Sequence, residues 1–433
     1  MVRCVLRQKH PVFDRAKRST DAMRELYRLA SGRSGPQATG QPELDASSWG
    51  ASAEAYPPTL ARRRIAGGPR QAGESGCHPP AEVSVVAGVA GERGLPTDGP
   101  ASGSRLHSPA GVAVDAAGNV YIADAGNGVV VKVTPAGVLS IIAGVAGERG
   151  LPTEGPALQS RLHWPTGVAV DGAGNVYIAD AGAGVVARVT PAGVLSIIAG
   201  RPGEHGLPTE GPGSDSRLRA PAAVAVDGAG NVYVADQDSG VVAKVSPAGE
   251  LSIVAGRPGQ LWPPRPGPAG RRYLQQPTGV AVDGLRNVYV TDAGAAEVAM
   301  VTPSGRLLVV AGKLRNRHQA QPGPPTAGPA SESALATPCG VPVDPHGNLF
   351  VVDPYNGVIV KVRPDGMLAI VVDIPLAPWT SMPDGAWSFE AKLEADGGLE
   401  HAWMGIAVDP DGAIYIADWY NAVVQKLTPP HDA

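Results

Sequence analysis

GVAVDAAGNVYIADAGNGVVVKVTPAGVLSIIAG (residues 111–144) returns almost unchanged as GVAVDGAGNVYIADAGAGVVARVTPAGVLSIIAG (residues 167–200). Weaker copies follow. The aspartate that closes the first apolar run marks them as Asp115, Asp171, Asp227, Asp283, Asp344 and Asp409, at intervals of 56, 56, 56, 61 and 65 residues. Each copy reads as four short antiparallel strands: GVAVD, a Gly-Asn turn, NVYIAD, a Gly-rich turn, GVVVKV, a Thr-Pro-Ala-Gly turn, and VLSIIAG. Pro135, Pro191 and Pro247 preset φ for the last turn, and Gly118, Gly174 and Gly230 supply the positive φ of the first. Arg286 stands in that glycine position in the fourth copy, so its turn is expected to be strained or reshaped. No helical crossover separates the strands, which excludes an α/β barrel. Six four-strand repeats of this length predict an all-β fold, a six-bladed β-propeller.

The phasing of the copies predicts how the ring closes. AEVSVVAG (81–88) matches a fourth strand with no blade before it, while the sixth copy ends after its third strand at NAVVQKLTPPHDA. Val83–Ala87 beside Ala422–Leu427 would complete blade six and remove two exposed sheet edges. Residues 81–433 are thus read as one propeller, with 81–88 completing its last blade.

Composition agrees. The 433 residues include 57 Gly and 43 Pro, with 5% aromatic and 18% charged residues, which excludes a helical bundle, a coiled coil and a highly charged disordered chain. No apolar run approaches the roughly 18 residues of a spanning helix, so no transmembrane segment is expected. The start, MVRCVLRQKH, has no signal-peptide core, and Cys4, Cys77 and Cys339 suggest no disulfide framework. Both point to the cytoplasm, an expectation that a misassigned start would reverse. Residues 1–80 carry 13 Lys/Arg and 7 Asp/Glu, against 23 and 33 in residues 81–433. The first 80 residues read as a disordered basic arm, with a short amphipathic helix possible at 14–30.

The motif GVAVD-x-x-GN-x-YIAD, with Asn three residues later, resembles the NHL repeat, and the Gly/Pro-rich insert GERGLPTDGPASGSRLHSP (91–109) is similar to inserts in bacterial NHL arrays. The resemblance implies a six-bladed propeller whose usual work is binding partners. Some relatives bind RNA, and similarly folded enzymes cleave peptidyl-hydroxyglycine or hydrolyse lactones. NHL repeats commonly follow that Asn with His-Arg; here the positions read Gly128-Val129, Gly184-Val185, Gly240-Val241, Ala296-Glu297, Gly357-Val358 and Ala422-Val423. With an acidic propeller this argues against nucleic acid as a partner. The lyase relatives place metal-binding His where this chain has Ala110, Thr166, Ala222, Thr278, Cys339 and Met404.

Residues repeated in every blade are assigned to architecture, because one site does not need six copies. Tyr121 and its equivalents are expected between blades. Asp124, Asp180, Asp236, Asp292, Asp353 and Asp418 are expected to accept hydrogen bonds from turn amides; a Ca²⁺-holding carboxylate ring is the alternative. In a propeller the connections from strand four to the next strand one, and from strand two to three, share one rim, here the top rim. The long inserts (145–166, 201–222, 257–278, 313–339, 372–404) lie there and read as variable loops suited to binding. His107, His163 and His401 occupy equivalent positions in three consecutive blades, as loop polarity or as ligands of one metal. Six of the seven Trp also map to the top rim. The expected protein is a non-catalytic interaction module, a monomer without cofactor or bound metal. Its site for a protein or glycan is His107, His163, Trp164, Trp387, His401, Trp403, Trp419 and Tyr420. The alternative is a metal-dependent hydrolase or lyase with its site in the channel.

Overall fold

A computed structural model describes residues 82–260, 273–312, 325–373 and 405–428. The basic arm (1–80), its possible helix at 14–30, and His401, Trp387 and Trp403 lie outside these residues. Six antiparallel sheets form the six blades. In blade one the strands are Pro109–Val114, Val120–Asp124, Val129–Val133 and Val138–Ala143, from the axis outward. The ring closes as the phasing predicts. Glu82–Ala87 pairs antiparallel with Val423–Thr428, in the register Glu82↔Thr428, Val83↔Leu427, Ser84↔Lys426, Val85↔Gln425 and Ala87↔Val424.

Each core lies between two blades, which explains the repeated tyrosine. Tyr121 of blade one is buried with Val168, Val176 and Ile178 of blade two, Tyr177 with blade three, and Tyr415 with blade one. Its phenol stays satisfied because the marker aspartate reaches it. Asp115 Oδ1 accepts from the Ala117 and Asn119 amides, and Oδ2 accepts from Asn119 Nδ2 at 2.8 Å and Tyr121 Oη at 3.1 Å. Burial alone would raise the Asp115 carboxyl, but these donors hold it below its ordinary value. Burial and Asp115 together push the tyrosine up to about 12. The same arrangement recurs at Asp171, Asp227 and Asp283.

The turn at Arg286 keeps the shape used by glycine elsewhere. Arg286 N–H donates to Asp283 C=O at 2.9 Å, as Gly118 N–H does to Asp115, and Arg286 sits at φ +64°. The strain is therefore in the residue and the turn is not reshaped. Arg286→Gly should stabilise the chain by about 0.5–1 kcal/mol, read as a raised urea midpoint at unchanged m value.

Blade five departs from the four-strand expectation. Its innermost segment makes only two isolated bridges, Cys339↔Val352 and Val343↔Leu349. Pro342 stands where the other blades have alanine, so the ladder lacks an N–H there.

The inserts differ most from expectation: those described are repeated structural units. Gly99–Pro100 adds a fifth, two-residue strand outside Val138–Leu139, and Gly155–Pro156, Gly211–Pro212 and Gly328–Pro329 do the same. The acid before this dipeptide extends the ladder: Asp98, Glu154 and Glu210 accept from the amides of Ile141, Ile197 and Ile253. A buried serine six residues past the acid turns the segment back, as Ser104 Oγ accepts from Thr97 N–H at 3.0 Å. Leu106, Leu162, Leu218, Leu274 and Leu335 then enter the interblade cores, each essentially fully buried. Burying one such side chain stabilises by about 1.5–3 kcal/mol. Ala101 ties two blades together, accepting from Gly88 N–H and donating to Gly137 C=O.

Candidate partner-binding face

The top rim is built on the aspartates that end the second strands. Asp180 is fully buried and accepts from the amides of His163 and Trp164 at 2.8 Å and of Ala183 at 3.1 Å. Asp124 accepts from His107 N–H at 2.8 Å and Asn127 Nδ2 at 2.7 Å. Asp236, Asp292 and Asp353 hold the corresponding amides of their inserts. The donors are thus mainly amides at the insert's end, and the expected turn amides are the smaller part. The carboxylates are occupied by these amides, back from the axis. Burial raises Asp180, Asp236 and Asp353, and pushes Asp124 up to about 8 against the pull of its donors.

That shift has a sign that can be checked. With Asp124 titrating near 8 in the folded chain and at its ordinary 3.8 when unfolded, the native state holds the extra proton between those values. The associated stability is fully present below about pH 4 and lost as pH rises through 8. The urea stability of the wild type relative to Asp124→Asn should therefore fall across this window. A flat difference would contradict it.

This clamp positions the sequence-predicted residues. The His107 and His163 rings pack over the glycines of their own blades' turns. A Cβ placed on Gly126 would lie 2.6 Å from His107 Cγ, and one on Gly182 would lie 2.7 Å from His163 Nδ1. Trp164 is half-buried, with the Arg149 guanidinium 5.1 Å from its ring centre. Trp419 is half-buried and Tyr420 is 61% exposed, both in the top turn after Ile414–Asp418. Tyr355 holds the Tyr420 position in blade five and is 39% exposed. The corresponding turns of blades one, two and four are Ala-Gly.

Two features were missed from sequence. Tyr355 was legible as the aromatic after Pro354, at the Tyr420 position. Leu95 is 54% exposed, and Leu151 and Leu207 are exposed likewise, each lying against a glycine of the next insert: Gly147, Gly203 and Gly259. An apolar leucine repeated in a polar insert was the available signal. In blade one the neighbouring insert also accounts for the absence of the first residue of the His-Arg pair. Gly128 has φ +64°, and a Cβ there would lie 2.8 Å from Leu162 C=O and 3.0 Å from Arg149 Cγ. The neighbouring insert occupies the space that a basic side chain would need.

The channel is about 250 Å³ and is walled by the innermost strands, chiefly Gly, Ala and Val. Thr166 and Thr278 line its mouth, but their hydroxyls donate to the carbonyls of Pro221 and Pro338 in the next blade. Cys339 is the one titratable side chain in the described wall. Among the described residues no group of three or more His, Cys, Asp or Glu could hold a metal ion. The metal-centred alternative thus has no ligand set there, and the third histidine, His401, lies outside the described residues. No described helix is long and apolar enough to cross a membrane.

Comparison with known proteins agrees with this architecture. The family model described as Teneurin NHL domain matches residues 74–261. Teneurin-1 of Gallus gallus is 29% identical over 259 residues, covering 51% of this chain, and Teneurin-3 of Mus musculus is 29% identical over 264 residues, covering 52%. The chain spans only 9% of the length of either relative. A solved structure of a protein of unknown function from Bacteroides thetaiotaomicron superposes with a TM-score of 0.53 at 18% identity, covering 80% of this chain and 76% of that one. That likeness is one of fold. The expected kinship with bacterial arrays gains no support, since these curated relatives are vertebrate proteins. Its repeats, its closed ring of six sheets and its similarity to the Teneurin NHL domain over residues 74–261 show that the chain folds as a six-bladed β-propeller of the NHL type.

Proposed function

We propose that the propeller is a non-catalytic interaction module that binds a protein partner through the top rim where blades five, six, one and two meet. One observation carries this reading. Aromatic side chains break the symmetry of the top turns in this sector, with Tyr355, Trp419 and Tyr420 where blades one, two and four have Ala-Gly, and Trp164 follows on blade two. Rings with polar edges, beside His107, His163 and the exposed Leu95 and Leu151, suit a partner surface that is partly apolar and partly hydrogen-bonding. A rigid ring of clamped turns presents them at little cost in conformational entropy. Trp387, His401 and Trp403 extend the proposed site on sequence grounds, and a glycan partner would use the same rings. The similarity to the teneurin NHL domain supports a binding role without naming a partner.

The test is a capture experiment with the full chain and a Trp419→Ala/Tyr420→Ala variant that melts at the wild-type temperature. The wild type should retain a partner that the variant loses. Equal capture by both would remove the top-rim reading.

A further inference from the structure

The third strand of several blades carries a cation over the aromatic of the second strand. Lys132 lies 5.5 Å from the Tyr121 ring centre, Lys361 5.8 Å from Phe350, and Lys426 5.2 Å from Tyr415. Blade two differs. There Arg188 faces Tyr177 on one side and Ser196 of the outer strand on the other. Arg188 Nε is buried with no hydrogen-bond partner, and so is Ser196 Oγ. Among the described residues Arg188 makes no ion pair, whereas its blade-six counterpart Lys426 reaches Asp409 at 3.7 Å.

Both unsatisfied groups line a cavity of about 320 Å³ between blades two and three. Ser214 of the insert and the turn Ser246–Gly249 form its other polar walls. Ser246 Oγ accepts from Glu250 N–H at 3.2 Å, which leaves its hydroxyl proton free to donate. Nearby carboxylates have their own partners: Asp171 holds Asn175 and Tyr177, and Asp215 faces Arg201 at 3.3 Å. The junction one blade earlier has the same plan but carries Lys132, Leu158 and Thr190 where this one has Arg188, Ser214 and Ser246. The combination is therefore not a property of the repeat.

We propose that this cavity binds a compact tetrahedral oxyanion, a phosphate or sulfate group, either free or carried on a small ester. Guanidinium supplies a planar donor fork that fits such an anion. Hydroxyls on facing walls donate to its remaining oxygens. A half-buried Arg188 whose Nε has no partner is a localised cationic site in an acidic propeller, unlike the diffuse basic surface that draws nucleic acid. The volume sits at the low end for small-molecule sites, enough for the anion and a sugar-sized remainder.

Titration calorimetry on the full chain, with inorganic phosphate, inorganic sulfate and a sugar monophosphate at fixed ionic strength, tests the proposal. One saturable site is expected. Arg188→Gln should weaken it about tenfold or more, and Ser196→Ala about threefold. Lys132→Gln, the counterpart in blade one, should leave it unchanged. A sugar phosphate that binds more tightly than inorganic phosphate assigns the rest of the cavity to the ester, and equal affinities assign the site to the ion itself. If Arg188→Gln impairs folding, the milder Ser196→Ala still carries the comparison. No saturation by about 20 mM of any of the three, or an equal loss from Lys132→Gln, overturns the proposal.

Discussion

A chain that begins at residue 91 should melt well below one that begins at residue 81. The shorter chain lacks Glu82–Ala87, the outer strand of blade six. It loses Ala87, fully buried in the core shared by blades six and one, and the packing of Val83 and Val86. It also loses the donor from Gly88 to Ala101 that ties these blades. Several ladder hydrogen bonds at about 1 kcal/mol net each, with exposure of Val424 and Leu427, predict a loss of about 3 kcal/mol or more. The new edge, Val423–Thr428, would be open to pairing with another chain, so the shorter protein should also aggregate more readily. Equal urea midpoints for the two chains would contradict closure by this strand.

Replacing Asp180 with alanine is the second large effect. The amides of His163, Trp164 and Ala183 would lose their shared, fully buried acceptor. Each buried donor left unpaired costs about 1–3 kcal/mol, so the variant should lose about 3 kcal/mol or more. Asp180→Asn, which keeps an acceptor oxygen, should lose less. Asp365→Ala, at an exposed position in a tight turn, should change stability far less. If Asp180→Ala and Asp365→Ala destabilise alike, the clamp does not support the rim. Trp164 fluorescence reports the same event locally, shifting when its turn loosens.

What could be read from sequence follows from where periodicity acts. Strand pairing, blade count and closure were legible because apolar alternation and fixed turn residues recur at a near-constant interval. The missing and spare strands then placed Val83–Ala87 beside Ala422–Leu427, and the ladder adds the register, Val83 opposite Leu427. Pro342 was equally visible, but only the ladder shows that it reduces an inner strand to two bridges. The inserts were misjudged because Gly and Pro read as loop signals. Their order comes from long-range partners, such as Asp98 with Ile141 and Leu106 with the interblade core, which no local window contains. For the site, the aromatic and histidine positions were legible as departures from symmetry. Their surroundings were not, since the glycine under His163 and the cation over Trp164 come from different segments. The cavity at Arg188 was invisible for the same reason, being made by two blades and an insert.

Recognition through the top-rim aromatics makes the affinity of a captured partner depend on single side chains of that patch. Removing a central aromatic from a recognition patch commonly costs about 2 kcal/mol, roughly thirtyfold in Kd. Trp419→Ala should weaken binding by about that factor at an unchanged melting temperature. Leu285→Ala removes an apolar side chain that is 77% exposed on the opposite rim, and it should leave Kd within about twofold. Recognition by this patch is ruled out if Leu285→Ala weakens binding as much as Trp419→Ala, or if Trp419→Ala leaves the affinity unchanged.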